Sequence, residues 1–167
     1  YGTDITWDQF FTMVDQTARA LRAVGVGENT QIPVLLRSVP EFIVLLLAAE
    51  KVGAAVLCRD NTVPENAEAI ARPGGHVMVI HDFLSQEELD AYTEAGIETF
   101  ITVSPYHMAK AETMPDYVKG VIDRSYPAQP VKDDRLMDWD AFIALGESFA
   151  GGAGAPEDHD RPLPPVH

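Results

Sequence analysis

Cysteine, basic residues and long apolar runs are all scarce in this sequence. The single cysteine among 167 residues, Cys58, leaves no partner for a disulfide within the chain. The apolar run at 42–49 falls well short of the roughly 20 residues that cross a membrane as a helix. Nothing resembles a secretory signal peptide. These absences exclude a disulfide scaffold and a membrane span, and we expect a cytoplasmic protein.

Lysine and arginine number 12 against 26 aspartate and glutamate residues, which gives a formal net charge of −14. Nucleic-acid binding depends on basic side chains that neutralise phosphates, so we expect no nucleic-acid partner. An anionic membrane surface is disfavoured for the same reason. The acidic excess is typical of a solvated surface. It does not exclude nucleotides, because backbone N–H groups can hold phosphates.

The apolar run at 42–49 lies at the centre of the sequence pattern. Ser38 and Glu41 have the spacing of a capping box, and Gly53 follows the run where a left-handed residue commonly ends a helix. The pattern therefore predicts a helix over about 39–52. Because this helix is hydrophobic on nearly every side, we expect it to be buried. A short buried strand at 54–58 should follow directly.

The first helix is amphipathic and ends at the turn Gly25-Val26-Gly27. Thr6 and Gln9 form a second capping-box pattern at its start. A stripe at helical spacing contains three aromatic and three aliphatic residues, and we expect all six in the core: Trp7, Phe10, Phe11, Val14, Ala18 and Leu21.

Strands and helices alternate along the rest of the chain. Ser85 and Glu88 form a third capping box, and Leu84 and Leu89 are placed to make its hydrophobic staple. The predicted strands are 31–36, 54–58, 77–80 and 99–103. The predicted later helices are 64–72, one from Ser85 to Gly96, 115–124, and 138–145, the last stopped by Gly146. This alternation predicts an α/β fold with a parallel sheet flanked by helices on both faces.

Polar residues follow several predicted strands. Ligands favour the carboxyl edge of parallel sheets, so any site should involve these residues: Arg37, Arg59, Asp60, His81 and Asp82. The alternative is that they only anchor loops.

Other motifs give no catalytic set. The glycines at 151–154 lack the Lys-Ser/Thr of a phosphate-binding loop and indicate a linker. His76 and His81 are five residues apart, on opposite faces of a strand, so they should not share a metal. Cys58 has no neighbour that would activate it and should be buried. We therefore assign no catalytic, cofactor-binding or metal-binding residue to this chain.

The order of these elements resembles a known family. The series resembles the early part of the adenylate-forming enzymes, which include acyl-CoA synthetases. The elements that carry the resemblance are the helix at 6–24, the Gly turn, the strand, Ser38-Val39-Pro40-Glu41-Phe42, the apolar helix and its Gly-Ala turn. The resemblance implies the N-terminal subdomain of an enzyme that activates a carboxylic acid with ATP and then forms an acyl-CoA. ATP, Mg²⁺ and coenzyme A would serve the parent enzyme.

The family's phosphate loop would follow the segment 157–162, and the sequence ends at His167. We therefore expect an α/β subdomain at 1–146, clearest at 5–103, and a Gly/Pro-rich linker at 147–167. No family site residue maps onto this chain, and Arg59-Asp60-Asn61 departs from the Asn-Pro-Arg turn of many relatives. We expect a fragment that is inactive alone, binds no cofactor and takes its carboxylic acid through the parent.

Two other functions remain open. One is a non-catalytic, doubly wound α/β binding or interaction module. The other is a catalytically dead relative that serves assembly, with a homo-oligomer as one form.

Overall fold

A computed structural model describes residues 4–36, 39–58, 76–127 and 131–149. Their strands form one five-stranded parallel sheet in the order β2-β1-β3-β4-β5. The strands are β1 (Gln31–Leu35), β2 (Ala55–Cys58), β3 (Val77–His81), β4 (Thr99–Val103) and β5 (Leu136–Asp138).

Five α-helices and a single 3-10 turn, Ala111–Thr113, accompany the sheet in the described ranges. The helices are α1 (Trp7–Ala23), α2 (Pro40–Val52), α3 (Gln86–Glu94), α4 (Asp116–Ser125) and α5 (Trp139–Ser148). No helix there is long and apolar enough to cross a membrane.

The sheet is covered on both faces, as the sequence predicts. Alternate residues of β3 point to opposite sides: Val77 and Val79 join a core cluster with α1, α2 and α5. Met78 and Ile80 join a second cluster with α3. This two-faced burial explains why β3 is an uninterrupted apolar run, as expected for a central parallel strand.

Helix α3 begins as its sequence indicates. The Ser85 hydroxyl accepts a hydrogen bond from the Glu88 amide at 3.1 Å, and the Glu88 side chain accepts one from the Ser85 amide. Leu84 and Leu89 are both buried in the cluster beneath it. The capping box is confirmed, and both staple residues are in the core.

Helix α2 differs from its prediction at two points. Its N-cap is Val39, which provides no side-chain hydrogen bond, so the Ser38–Glu41 box does not begin this helix. Ser38 itself lies outside the described residues. The helix is also not buried all round, since Ile43 is 55% exposed. It forms an outer layer that needs only one apolar stripe against the sheet. Gly53 ends the helix at φ 79°, as predicted.

The predicted burial of β2 is wrong. Ala55 and Cys58 are exposed, because β2 is an edge strand that pairs with β1 alone within the described part of the chain.

The aromatic start of α1 is also not core. The Thr6–Gln9 capping box is confirmed, but Trp7 is 76% exposed and Phe11 is 52% exposed. Their rings stack on each other with centroids 6.1 Å apart. Phe10, the third aromatic residue, is partly buried and packs against the core cluster. Full burial in this helix begins at Val14.

The end of the described fold was only partly predicted. Asp138 caps α5, as expected, by accepting a hydrogen bond from the Ala141 amide. Gly146 does not stop this helix but lies inside it, against Ala20 of α1. Strand β5 was missed because three residues carry too little periodicity. The helix predicted at 64–72 and residues 150–167 lie outside the described residues, so the boundary at 146 stays a prediction.

Candidate functional site

The strand order places a topological switch point beside β1. The chain runs from β1 through α2 to β2 on one side, whereas β3 pairs with the other side of β1. Ligands of open α/β sheets bind outside the carboxyl ends of the strands at such switch points. Of the residues predicted for this edge, His81 and Asp82 end β3 and follow it. Arg37, Arg59 and Asp60 lie outside the described residues.

Asp82 is held by an aromatic hydroxyl. The Tyr126 hydroxyl, just after α4, donates a hydrogen bond of 2.7 Å to Asp82 Oδ1. Burial raises the pKa of Asp82, and hydrogen bonds from Tyr126, its own amide and Ser104 oppose that rise in part. Burial and the bond to Asp82 raise the pKa of Tyr126 to about 12. The pair presents a half-buried carboxylate that favours hydrogen-bond donors.

His81 contributes stacking at this edge. Its ring lies flat on Phe83, with centroids 3.7 Å apart and an interplanar angle of 8°. Phe83 in turn meets Tyr126 edge-on at 5.6 Å. His76 precedes β3, at the opposite end of the strand from His81. Across the described ranges, no three His, Cys, Asp or Glu side chains form a group that could hold a metal ion.

A second cluster joins three elements through one imidazole. His107, in the loop after β4, places Nδ1 2.7 Å from Glu41 Oε1 on α2. Its Nε2 lies 2.8 Å from Asp140 Oδ1 on α5. Glu41 is fully buried in the first turn of α2. The loop is thereby fixed to the amino-terminal ends of two helices.

The imidazole of His107 is biased toward its charged form. Burial lowers its pKa, but hydrogen bonds to Asp140 and Glu41 and their negative charges outweigh burial, so the pKa is raised from 6.5. Both ring nitrogens lie against carboxylates, so His107 links the loop to α2 and α5.

An open cleft of about 520 Å³ extends from Asp82 to the segment before β5. Half of its lining residues are aspartates: Asp82, Thr102, Val131, Lys132, Asp133, Asp134, Leu136 and Asp138. Arg135 pairs with Asp133 at 2.6 Å and lowers the pKa of that carboxyl to about 2. Arg135 also donates to Thr93 Oγ1 of α3 at 2.7 Å, so this ion pair anchors the segment to a helix.

The chemistry of these residues is binding and positioning. Cys58 is exposed at the sheet edge, but partial desolvation of its thiol raises the pKa, which disfavours the reactive thiolate. The turn Gly25-Val26-Gly27 precedes β1, at the edge of the sheet opposite the carboxyl ends of the strands. Asp82 provides a hydrogen-bond acceptor and Tyr126 an aromatic surface. The His107 cluster makes the loop after β4 rigid.

The sequence matches the family described as AMP-binding enzyme over residues 1–139. The chain belongs to this AMP-binding enzyme family. The match includes all five strands and the elements that carried the resemblance, which is confirmed.

Individual relatives of the AMP-binding enzyme family cover this chain to different extents. Acetoacetyl-coenzyme A synthetase from Rhizobium meliloti (strain 1021) is 38% identical over 50 residues, which are 30% of this chain and 8% of that protein. Coronafacic acid ligase from Pectobacterium brasiliense matches 86% of this chain and 25% of its own, with a TM-score of 0.61 and 14% identity. Acetoacetyl-CoA synthetase from Streptomyces lividans matches 84% of this chain and 20% of its own, with a TM-score of 0.57 and 16% identity.

These structural similarities establish the fold of an adenylate-forming ligase's N-terminal region. The chain spans about a quarter or less of the length of these relatives.

Proposed function

We propose that this chain is the N-terminal part of an ATP-dependent carboxylate–CoA ligase and acts there as a scaffold. The family match over residues 1–139 carries the proposal. The β2-β1-β3-β4-β5 sheet supports it, because solved ligases share the fold over 84–86% of this chain.

The parent would activate a carboxylic acid with ATP and Mg²⁺ and pass the acyl group to coenzyme A in the cytoplasm. The described residues do not fit ATP on their own, because their glycine turn at 25–27 ends a helix on the wrong edge of the sheet and lacks a following lysine. We therefore assign no step of adenylation to them and expect the isolated chain to be inactive.

Partners follow from the same reasoning. The small-molecule acid would reach the protein through the parent's own pocket, and the net charge of −14 disfavours nucleic acid. A homo-oligomer is compatible with the proposal but is not needed for it.

Exchange of radiolabelled pyrophosphate into ATP tests the proposal. The assay would compare the polypeptide of the complete gene with the 167-residue chain, each with short aliphatic, long aliphatic and aromatic acids. We expect exchange by the complete polypeptide with at least one acid and none by the chain alone. A folded complete polypeptide that exchanges with no acid would favour the non-catalytic binding module. Exchange by the chain alone would overturn its role as a scaffold.

A further inference from the structure

The cluster of Glu41, His107 and Asp140 has an unusual proton requirement. Both carboxylates contact the same imidazole, at 2.7 Å and 2.8 Å. An ionised carboxylate can only accept hydrogen bonds, and a neutral imidazole has one N–H. With both carboxylates ionised, both contacts are hydrogen bonds only when the imidazole carries two N–H groups, as imidazolium. Loss of one proton to solvent must break one contact.

The two carboxylates differ sharply in exposure. The Glu41 side chain is 1% exposed and that of Asp140 is 80% exposed. A buried carboxylate without a donor is costly, whereas an exposed one is resolvated by water. The single N–H of neutral His107 should therefore stay on Nδ1 and face Glu41, so that the contact with Asp140 breaks first.

We propose that Glu41, His107 and Asp140 form a proton-operated clamp, in which deprotonation of His107 releases the loop at 104–110 from α5 while Glu41 keeps it on α2. The loop follows the carboxyl end of β4, so the clamp sets how firmly this edge of the sheet is tied to α2 and α5.

The charged groups around the imidazole agree with this direction. Helices α2 and α5 contribute Glu41 and Asp140, whose negative charges both favour imidazolium. In the loop itself, the neighbouring Tyr106 donates its hydroxyl to Asp123 of α4 at 2.7 Å. The folded pKa of His107 is raised, so the clamp's contribution to stability is fully present below about 6.5 and is lost as pH rises through the folded pKa.

Imidazole nitrogen NMR on the ¹⁵N-labelled 167-residue chain tests the proposal, with a titration from about pH 5.5 to about pH 9. We expect His107 to titrate above its ordinary pKa and its neutral form to carry the proton on Nδ1. Amide hydrogen exchange at 106–108, corrected for intrinsic base catalysis, should accelerate through the same pH range.

Two variants separate the clamp from simple packing. Asp140→Asn should lower the pKa of His107 and reduce the pH dependence of loop exchange. Asp138→Asn removes the same charge from the same helix end and keeps a cap, because asparagine is an equally good N-cap. It should leave both readouts near their wild-type values.

Three results would overturn the clamp. They are a His107 pKa at or below 6.5 in the wild type, a neutral form protonated on Nε2, and equal effects of the Asp140 and Asp138 substitutions.

Discussion

At Gly146, helices α1 and α5 approach so closely that an added Cβ atom would lie 2.5 Å from the Ala20 backbone nitrogen. The neighbouring atoms are backbone, which cannot rotate away. Gly120 of α4 offers the opposite case, because its nearest neighbour is the mobile end of Arg124 at 3.1 Å. The two glycines therefore separate packing from helix propensity.

We expect Gly146→Ala to destabilise the fold by about 1–3 kcal/mol, as overpacked cores do. Gly120→Ala should instead stabilise it by up to about 1 kcal/mol, because alanine favours a helix. Urea unfolding of both variants measures the difference. Equal effects would mean that α1 and α5 are not in close contact.

The bond between Tyr126 and Asp82 gives a pH-dependent prediction. Tyr126→Phe removes a hydrogen bond to the ionised carboxylate and should cost about 1 kcal/mol near neutral pH. It should also raise the pKa of Asp82 further. A raised carboxyl pKa gives stability that is present below the ordinary value near 3.8 and lost as pH rises through the folded value. The substitution should therefore cost more at about pH 7 than at about pH 4.

Tyr106→Phe is the matched control for this pH effect. Its hydroxyl also meets a carboxylate, Asp123, but on the exposed surface. Its effect on stability should be small, because water replaces the lost bond. If the stability cost of Tyr126→Phe does not change with pH, the hydrogen bond to Asp82 is not the source of that cost.

Residues of the candidate site could be predicted only where the sequence on either side of them fixes their position in the fold. Asp82 follows an apolar strand, and that position alone places it at the carboxyl edge. Glu41 lies 66 residues and Asp140 33 residues from His107, so no local pattern joins them. The one local signal was an acidic residue at the start of an apolar helix. That signal equally fits the helix dipole.

Among the elements, those with complete local signals were predicted well and short or one-sided ones were not. β3 is apolar from Val77 to Ile80, β4 is rich in β-branched and aromatic residues, and α3 has a capping box and a staple. β5 has three residues and forms only because β4 offers an edge. The aromatic residues at the start of α1 have helical spacing. Spacing alone does not show which turns of the helix are covered by other elements.

The two tryptophans can show whether the start of α1 is exposed to solvent. Trp7 is 76% exposed, and Trp139 in α5 is 4% exposed. We expect Trp139→Phe, which retains Trp7, to emit at longer wavelength and to be quenched strongly by acrylamide. Trp7→Phe, which retains Trp139, should emit at shorter wavelength and resist quenching. Equal quenching of the two variants would contradict the exposed position of the α1 aromatic cluster.

For the whole molecule, the net charge is the property of the composition that should affect stability most. With a net charge of −14, folding brings like charges together. Added sodium chloride screens that repulsion, so we expect the melting temperature to rise between about 10 mM and about 150 mM salt. A fall in melting temperature would mean that attractive pairs such as Lys51–Asp15 dominate instead.

The contact between α1 and α5 also has a consequence for biosynthesis. Ala20 and Gly146 are 126 positions apart, so the apolar stripe of α1 leaves the ribosome long before its partner exists. At roughly 5–20 residues per second, that interval is about 6–25 s. During this time Val14, Ala18 and Leu21 lack one of the surfaces that bury them. We therefore expect the nascent chain to expose part of this stripe until its last described helix has been made.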